Sequence, residues 1–166
     1  MIAAVVLAAG AASRFGAPKQ RLFLPAVVAA LRATASVDEI VVVTGAYRLE
    51  IPGVHVAFCA EWARGPGASL RCGLRSLGDD AEAAVVVLAD GPRLSRDAIE
   101  RVLAAWREGE SDVVAASYGG DRGHPVLVGR AAWHAIPDEG ARSLEAALVP
   151  CDDLGPPGDV DTPEDM

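Results

Sequence analysis

Apolar positions along this chain fall into two patterns. Residues 2–7 (IAAVVL), 39–45 (EIVVVTG) and 83–90 (AAVVVLAD) are nearly continuous apolar runs, the mark of strands covered on both faces. The second ends at a turn glycine and the third at an aspartate followed by Gly-Pro. Residues 53–59 (GVHVAFC) alternate, which predicts a shorter, less buried strand. Between these runs the period becomes helical. Residues 25–35 (PAVVAALRATA) predict a helix with proline at its start. Residues 67–77 place Leu70, Leu74 and Leu77 on one helical face, and Ser95 caps a third helix whose apolar face is Ile99, Val102, Leu103 and Trp106. Residues 112–118 and 124–129 flank a glycine-rich turn, and RAAWHAI (130–136) and ARSLEAAL (141–148) read as two short helices. From Pro150 onward the chain carries six acidic residues, four prolines and no base, which predicts an irregular segment with one terminal turn begun by Thr162 and Pro163.

Strands alternating with helices predict an α/β domain around a mainly parallel sheet. At 166 residues the chain is a single domain, residues 1–166, with no internal repeat or linker. A formal net charge of −8 repels nucleic acid and anionic membrane surfaces, which argues against both as partners. The apolar opening has no basic segment before it and is far shorter than a membrane span, so a buried strand explains it better than a signal peptide. Cys59, Cys72 and Cys151 are odd in number and widely spaced, with no C-x-x-C. That pattern suggests neither a disulfide framework nor a zinc site and makes a reducing, cytoplasmic setting the expectation. Fourteen of the fifteen basic residues are arginine, and the only lysine is Lys19. A compact, mobile ammonium suits a phosphate site, where arginine is not its equivalent.

In open parallel sheets, ligands bind beyond the carboxyl ends of strands near the topological switch point, which singles out the segments after Leu7 and after Ala89. The first, LAAGAASRFGAPK (7–19), offers backbone N–H groups, Gly10, Gly16, Ser13 and the cations Arg14 and Lys19, a cradle for a polyphosphate. A Walker A loop places lysine directly after its last glycine, whereas here Ala17 and Pro18 intervene; the spacing of a G-x-G-x-x-G dinucleotide fingerprint is also missing. Taken singly, the other candidates each have two readings. Asp90 is a metal ligand at a strand end or a turn-forming acid, and Asp161 is a ligand or a solvated acid at a Thr-Pro helix start. Ser69 is a pocket hydroxyl or an N-cap, and His124 is a binding residue or the start of a strand.

The pattern L-A-A-G-x-x-S-R-x-G-x-x-K resembles the signature of the MobA-like nucleotidyltransferases, and within that superfamily it is most similar to the molybdenum cofactor cytidylyltransferases. EWARGPGASLRCGL (61–74) looks like the family's W-x-x-G-x-x-x-S-L-x-x-G-L element, and LADGP (88–92) like its L-A-D-Q-P. RGHPVLVGR (122–130) looks like its R-G-H-P, DEGARSL (138–144) like its later G-A-R segment, and DVDTPED (159–165) like its closing D-x-D-T-P-x-D. These matches follow the family's order and span almost the whole chain.

The resemblance implies a three-layer Rossmann-like nucleotidyltransferase fold and an Mg²⁺-dependent transfer of CMP from CTP to a phosphate of molybdopterin cofactor, with release of pyrophosphate. By the same resemblance, Leu7, Ala8, Ala9, Gly10, Ser13, Arg14, Gly16 and Lys19 hold the nucleotide, and Gly67 and Ser69, beside Pro66 and Ala68, lie against the base. Asp90 binds Mg²⁺ with Asp161 as a second ligand, so that Lys19, Arg14 and Asp90 carry catalysis, while Arg122, His124 and Pro125 face the acceptor. Ala9 favours CTP, because guanylyl enzymes tend to carry a glycine there. Two departures bear on the acceptor rather than the nucleotide. Gly91 stands where the family carries glutamine, and residues 20–31 (QRLFLPAVVAAL) run almost directly into helix where the family has a longer segment. The alternatives are GTP as donor, a sugar phosphate or phospholactate as acceptor, or a noncatalytic protein that binds nucleotide or carries cofactor in maturing a molybdenum enzyme. A Rossmann dehydrogenase is disfavoured because its glycine fingerprint is missing.

Overall fold

Continuous runs of Val and Ala build the centre of the molecule. Ile2–Ala8 (β1), Glu39–Thr44 (β2) and Ala83–Leu88 (β4) are buried over most of their length, while His55–Phe58 (β3) is partly covered at Val56 and Ala57 and exposed at both ends rather than alternating. Val113–Tyr118 (β5), Asp121–Gly129 (β6) and Ala147–Pro150 (β7) complete the sheet. The computed structural model describes residues 1–10, 19–109 and 111–158, with the side chains of Lys19 and Gln20 outside that set. The seven strands lie in the order β3-β2-β1-β4-β6-β5-β7. β6 runs against the rest, which are mutually parallel, so the mainly parallel α/β sheet is as expected. β2 and β3 extend the sheet to one side of β1 and β4 extends it to the other, so the switch point falls between β1 and β4.

Helices cover both faces. Lys19–Arg32 (α1) and Arg96–Arg107 (α3) pack Leu24, Val27, Val28, Leu31, Ile99, Val102 and Leu103 against Ile2, Ala4 and Val6 on one face. Pro66–Arg75 (α2) packs Leu70 and Leu74 against Val5, Val41 and Val43 on the other. Period-2 alternation along β1 sends Ala4 and Val6 to one layer and Ala3 and Val5 to the other. Ser95 caps α3 as its sequence position predicts, accepting the Asp97 N–H at 3.1 Å. Among the described residues, no helix is long and apolar enough to cross a membrane.

Four local expectations change. The first helix begins at Lys19 rather than Pro25, leaving Pro25 inside it. An interior proline costs roughly 3 kcal/mol, and the burial of Phe23 and Leu24 ahead of it offsets that cost. ARSLEAAL is one 3₁₀ turn over Ala141–Ser143 followed by β7, which pairs with β5 in the register Val114↔Ala147. Pairing at the sheet margin there outweighs the helix propensity of Ala, Leu and Glu. RAAWHAI is a 3₁₀ segment over Arg130–Ala135. The fourth change concerns cysteine, because Cys59 and Cys72 are joined in a disulfide with a Cα–Cα distance of 5.8 Å. Parity and spacing did not reveal this pair because it forms only when α2 folds back over the end of β3. Cys151 is a buried free thiol. The acidic tail makes a 3₁₀ turn over Asp152–Leu154, and the turn expected at Thr162 and Pro163 lies outside the described residues.

Candidate active site

Three strand ends meet at the switch point. The Ala89 N–H donates to the Leu7 carbonyl and the Ala46 N–H to the Ala9 carbonyl, each at 3.1 Å. These bonds tie β2, β1 and β4 together just past their last paired residues, Leu7 and Leu88 among them. Leu7 is half-buried, Ala8 and Ala9 are buried, and Gly10 is exposed where the chain leaves the sheet. Asp90, half-buried, leaves β4 on the neighbouring strand. Ser13, Arg14, Gly16 and Asp161 lie outside the described residues, as does the side chain of Lys19, whose backbone opens α1.

The start of α2 forms a second wall. Gly65 precedes the helix at φ 136° and contributes no side-chain cap, and Pro66 takes the first helical position. Gly67 instead donates its N–H to the Asp138 carbonyl at 2.9 Å. A Cβ on Gly67 would collide with the Pro137 carbonyl, so the close crossing of residues 137–138 requires glycine there. Ser69 is 3% exposed and lies inside the helix, so it is not the N-cap that its sequence position allows. Trp62 packs on Gly45 at the end of β2, a rim position.

On the far side of Asp90 is a cavity of about 530 Å³, lined by Leu88, Gly91, Tyr118, Arg122, His124 and Pro157 among others. Pro125 is buried in the adjoining part of β6. Burial pushes the His124 imidazole down to about 4, with the Asp90 carboxylate opposing the shift and Arg122 reinforcing it, so the ring is neutral near pH 7. The Tyr118 hydroxyl donates to the His124 carbonyl at 2.7 Å, and burial pushes that phenol up to about 12. Arg122 lines the cavity but spends its guanidinium on the carbonyls of Leu144 (2.6 Å) and Ala141 (2.7 Å). A Cβ on Gly91 would sit 3.2 Å from both the Gly158 oxygen and the Pro157 Cβ, and the Arg93 N–H donates to the Pro157 carbonyl at 2.9 Å. The Pro157–Gly158 segment therefore lies against the position where the resembling family carries glutamine. Tyr118, Pro157 and Asp138 were not singled out from the sequence. Only Asp138 carried a signal there, as the first residue of the D-E-G-A-R match.

Among the described residues, no group of three or more His, Cys, Asp or Glu is arranged to hold a metal ion. Asp90, a half-buried carboxylate just after β4, has the hard oxygen donors that suit a divalent cation held jointly with substrate phosphates.

Comparison with curated proteins gives no match. Among solved structures, the chain is similar to Rv0371c from Mycobacterium tuberculosis H37Rv, at 25% identity and a TM-score of 0.82 over 99% of this chain and 94% of that one. Rv0371c in complex with manganese aligns at 24% identity and a TM-score of 0.76, over 99% and 95%. A nucleotidyl transferase from Methanothermobacter thermautotroptrophicus aligns at 21% identity and a TM-score of 0.74, over 99% and 94%, a likeness of fold. The family model described as the MobA-like NTP transferase domain matches residues 4–150, a span that includes the switch-point strands, α2 and β6, and the chain thus belongs to that family of nucleotidyltransferases.

Proposed function

We propose that this chain transfers CMP from CTP to a phosphate of a molybdopterin-type acceptor, releasing pyrophosphate. The observation that carries this reading is the convergence of Gly10, Asp90, the start of α2 and the His124 cavity at the carboxyl ends of β1 and β4. An acceptor phosphate oxygen attacks the α-phosphorus. The new P–O bond forms as the bond from the α-phosphorus to the bridging oxygen breaks, and pyrophosphate leaves with that electron pair. The nucleophile is already ionised, so the protein's task is to hold anions close and neutralise developing charge. Gly10, Ser13 and Gly16 present the segment to the phosphates, and Arg14 and Lys19 counter charge on the departing pyrophosphate. Asp90, with Asp161, would hold Mg²⁺, which would supply positive charge to offset the negative charge that develops on the phosphates. That Rv0371c has been obtained in complex with manganese supports a divalent cation in this reading. Gly67 and Ser69 face the base, Ala9 favours cytosine, and neutral His124 with Pro125 borders the acceptor, while Arg122 holds the 141–144 turn beside it.

Pyrophosphate release from CTP in the presence of molybdopterin cofactor is expected to fall at least about 100-fold in Lys19→Ala and in Asp90→Ala. Unchanged turnover in both variants overturns the assignment. One observation favours a second reading, a noncatalytic nucleotide- or cofactor-binding protein: Pro157–Gly158 packs where an acceptor-facing side chain would otherwise stand. CTP binding without pyrophosphate release, across a panel of phosphorylated acceptors, would establish it.

A further inference from the structure

Residues 136–144 form a strap between the two walls of the site. At one end the strap holds α2. The Asp138 carbonyl accepts the Gly67 N–H at 2.9 Å and so serves as the cap that Gly65 does not supply. The Asp138 carboxylate is gripped from both sides of the same helix start. Arg71, within α2, reaches its Oδ1 at 2.5 Å, and Arg64, ahead of α2, reaches its Oδ2 at 3.3 Å. Arg71 also donates to the Ile136 carbonyl at 2.8 Å, and Arg64 to Glu61 at 2.5 Å. At its other end the strap holds the cavity wall, through the two carbonyls that receive Arg122.

We propose that Asp138 is a positioning residue for the nucleotide: through Arg64, Arg71 and Gly67 it sets the 65–69 turn against which the base rests. The inference builds on the reading of that turn as nucleoside-facing. The stronger grip is Arg71, which is 24% exposed against 56% for Arg64 and is therefore less easily rescued by water when its partner is removed. Arg71, followed by Arg64, keeps the carboxylate below its usual range despite partial burial, so both ion pairs persist at any pH where the protein would be assayed. Asp138 holds the α2 end of the strap and Arg122 the end beside the acceptor cavity, so loss of the Asp138 side chain is expected to act on the nucleotide rather than the acceptor.

Asp138→Ala is expected to raise the KM for CTP about fivefold while kcat and the acceptor KM stay within about twofold, and Asp138→Asn, which keeps an acceptor oxygen for Arg71, is expected to recover most of the loss. A fall in kcat that tracks the folded fraction by circular dichroism, with the CTP KM unchanged, would mean that Asp138 serves only the fold and overturns the proposal. Amide hydrogen exchange without nucleotide provides a readout independent of turnover. Residues 65–69 are expected to exchange faster in Asp138→Ala than in the wild type, and equal rates overturn the proposal. If the wild-type protein itself releases no pyrophosphate, the proposed function fails while the exchange comparison still decides the role of Asp138.

Discussion

His124 combines a largely covered imidazole with two charged neighbours of opposite sign, Asp90 and Arg122. Above its ordinary value of 6.5 the ring is neutral in both folded and unfolded chains. Between 6.5 and about 4 the unfolded chain takes up a proton that the folded one refuses, so stability falls as pH drops through that window. The loss reaches at most about 3 kcal/mol. Urea unfolding at pH 7 and at pH 4.5 is expected to show a smaller drop in His124→Asn than in the wild type; an identical drop would mean that the ring titrates normally. The contrast between Gly10 and Asp138 shows which residues the sequence reveals. Gly10 and Asp90 stand directly after apolar runs, so their place at strand ends follows from local pattern. The partner of Asp138, Arg71, lies 67 residues away, and no periodicity connects them.

At the scale of elements, α2 is held at several points along its length. Asp138 fixes its first turn, Leu70 and Leu74 bury its inner face, and the Cys59–Cys72 disulfide ties its middle to the end of β3. The disulfide encloses a segment with a sequence separation of 13 that contains Trp62, Gly65 and Gly67. Closing a loop of that size removes chain entropy from the unfolded state equivalent to about 3 kcal/mol. Reducing agent is therefore expected to lower the urea-unfolding free energy of the wild type by up to that amount and to leave Cys72→Ala unaffected. A wild type indifferent to reductant would show that the bond does not contribute. Elements with long, unambiguous patterns, namely β1, β2, β4 and α3, were legible from the sequence alone. The start of α1 and the strand β7 were not. Both depend on which surface is available for burial or pairing, and that competes with local preferences of a few kcal/mol or less.

For the molecule as a whole, stability and ligand occupancy are linked. A triphosphate that binds the folded chain at 100 times its Kd adds about 2.7 kcal/mol, which for a domain of this size raises Tm by roughly 5–10 °C. Titrations with CTP and GTP in the presence of Mg²⁺ are expected to give the larger shift with CTP; a larger shift with GTP would reassign the donor. Local pattern along the chain is enough for the α/β class, the buried strands and the two strand ends that border the site, because apolar period and strand-end chemistry are properties of neighbouring residues. It also carried, in six short motifs, the family to which the chain belongs. The fold alone brings Cys59 to Cys72, turns Arg122 to the carbonyls of Ala141 and Leu144, lays Pro157–Gly158 against Gly91 and sets Asp138 on α2. Each of these contacts joins separate elements brought together by burial of two apolar layers, and the geometry of that packing is a property of the whole core rather than of any stretch of the chain.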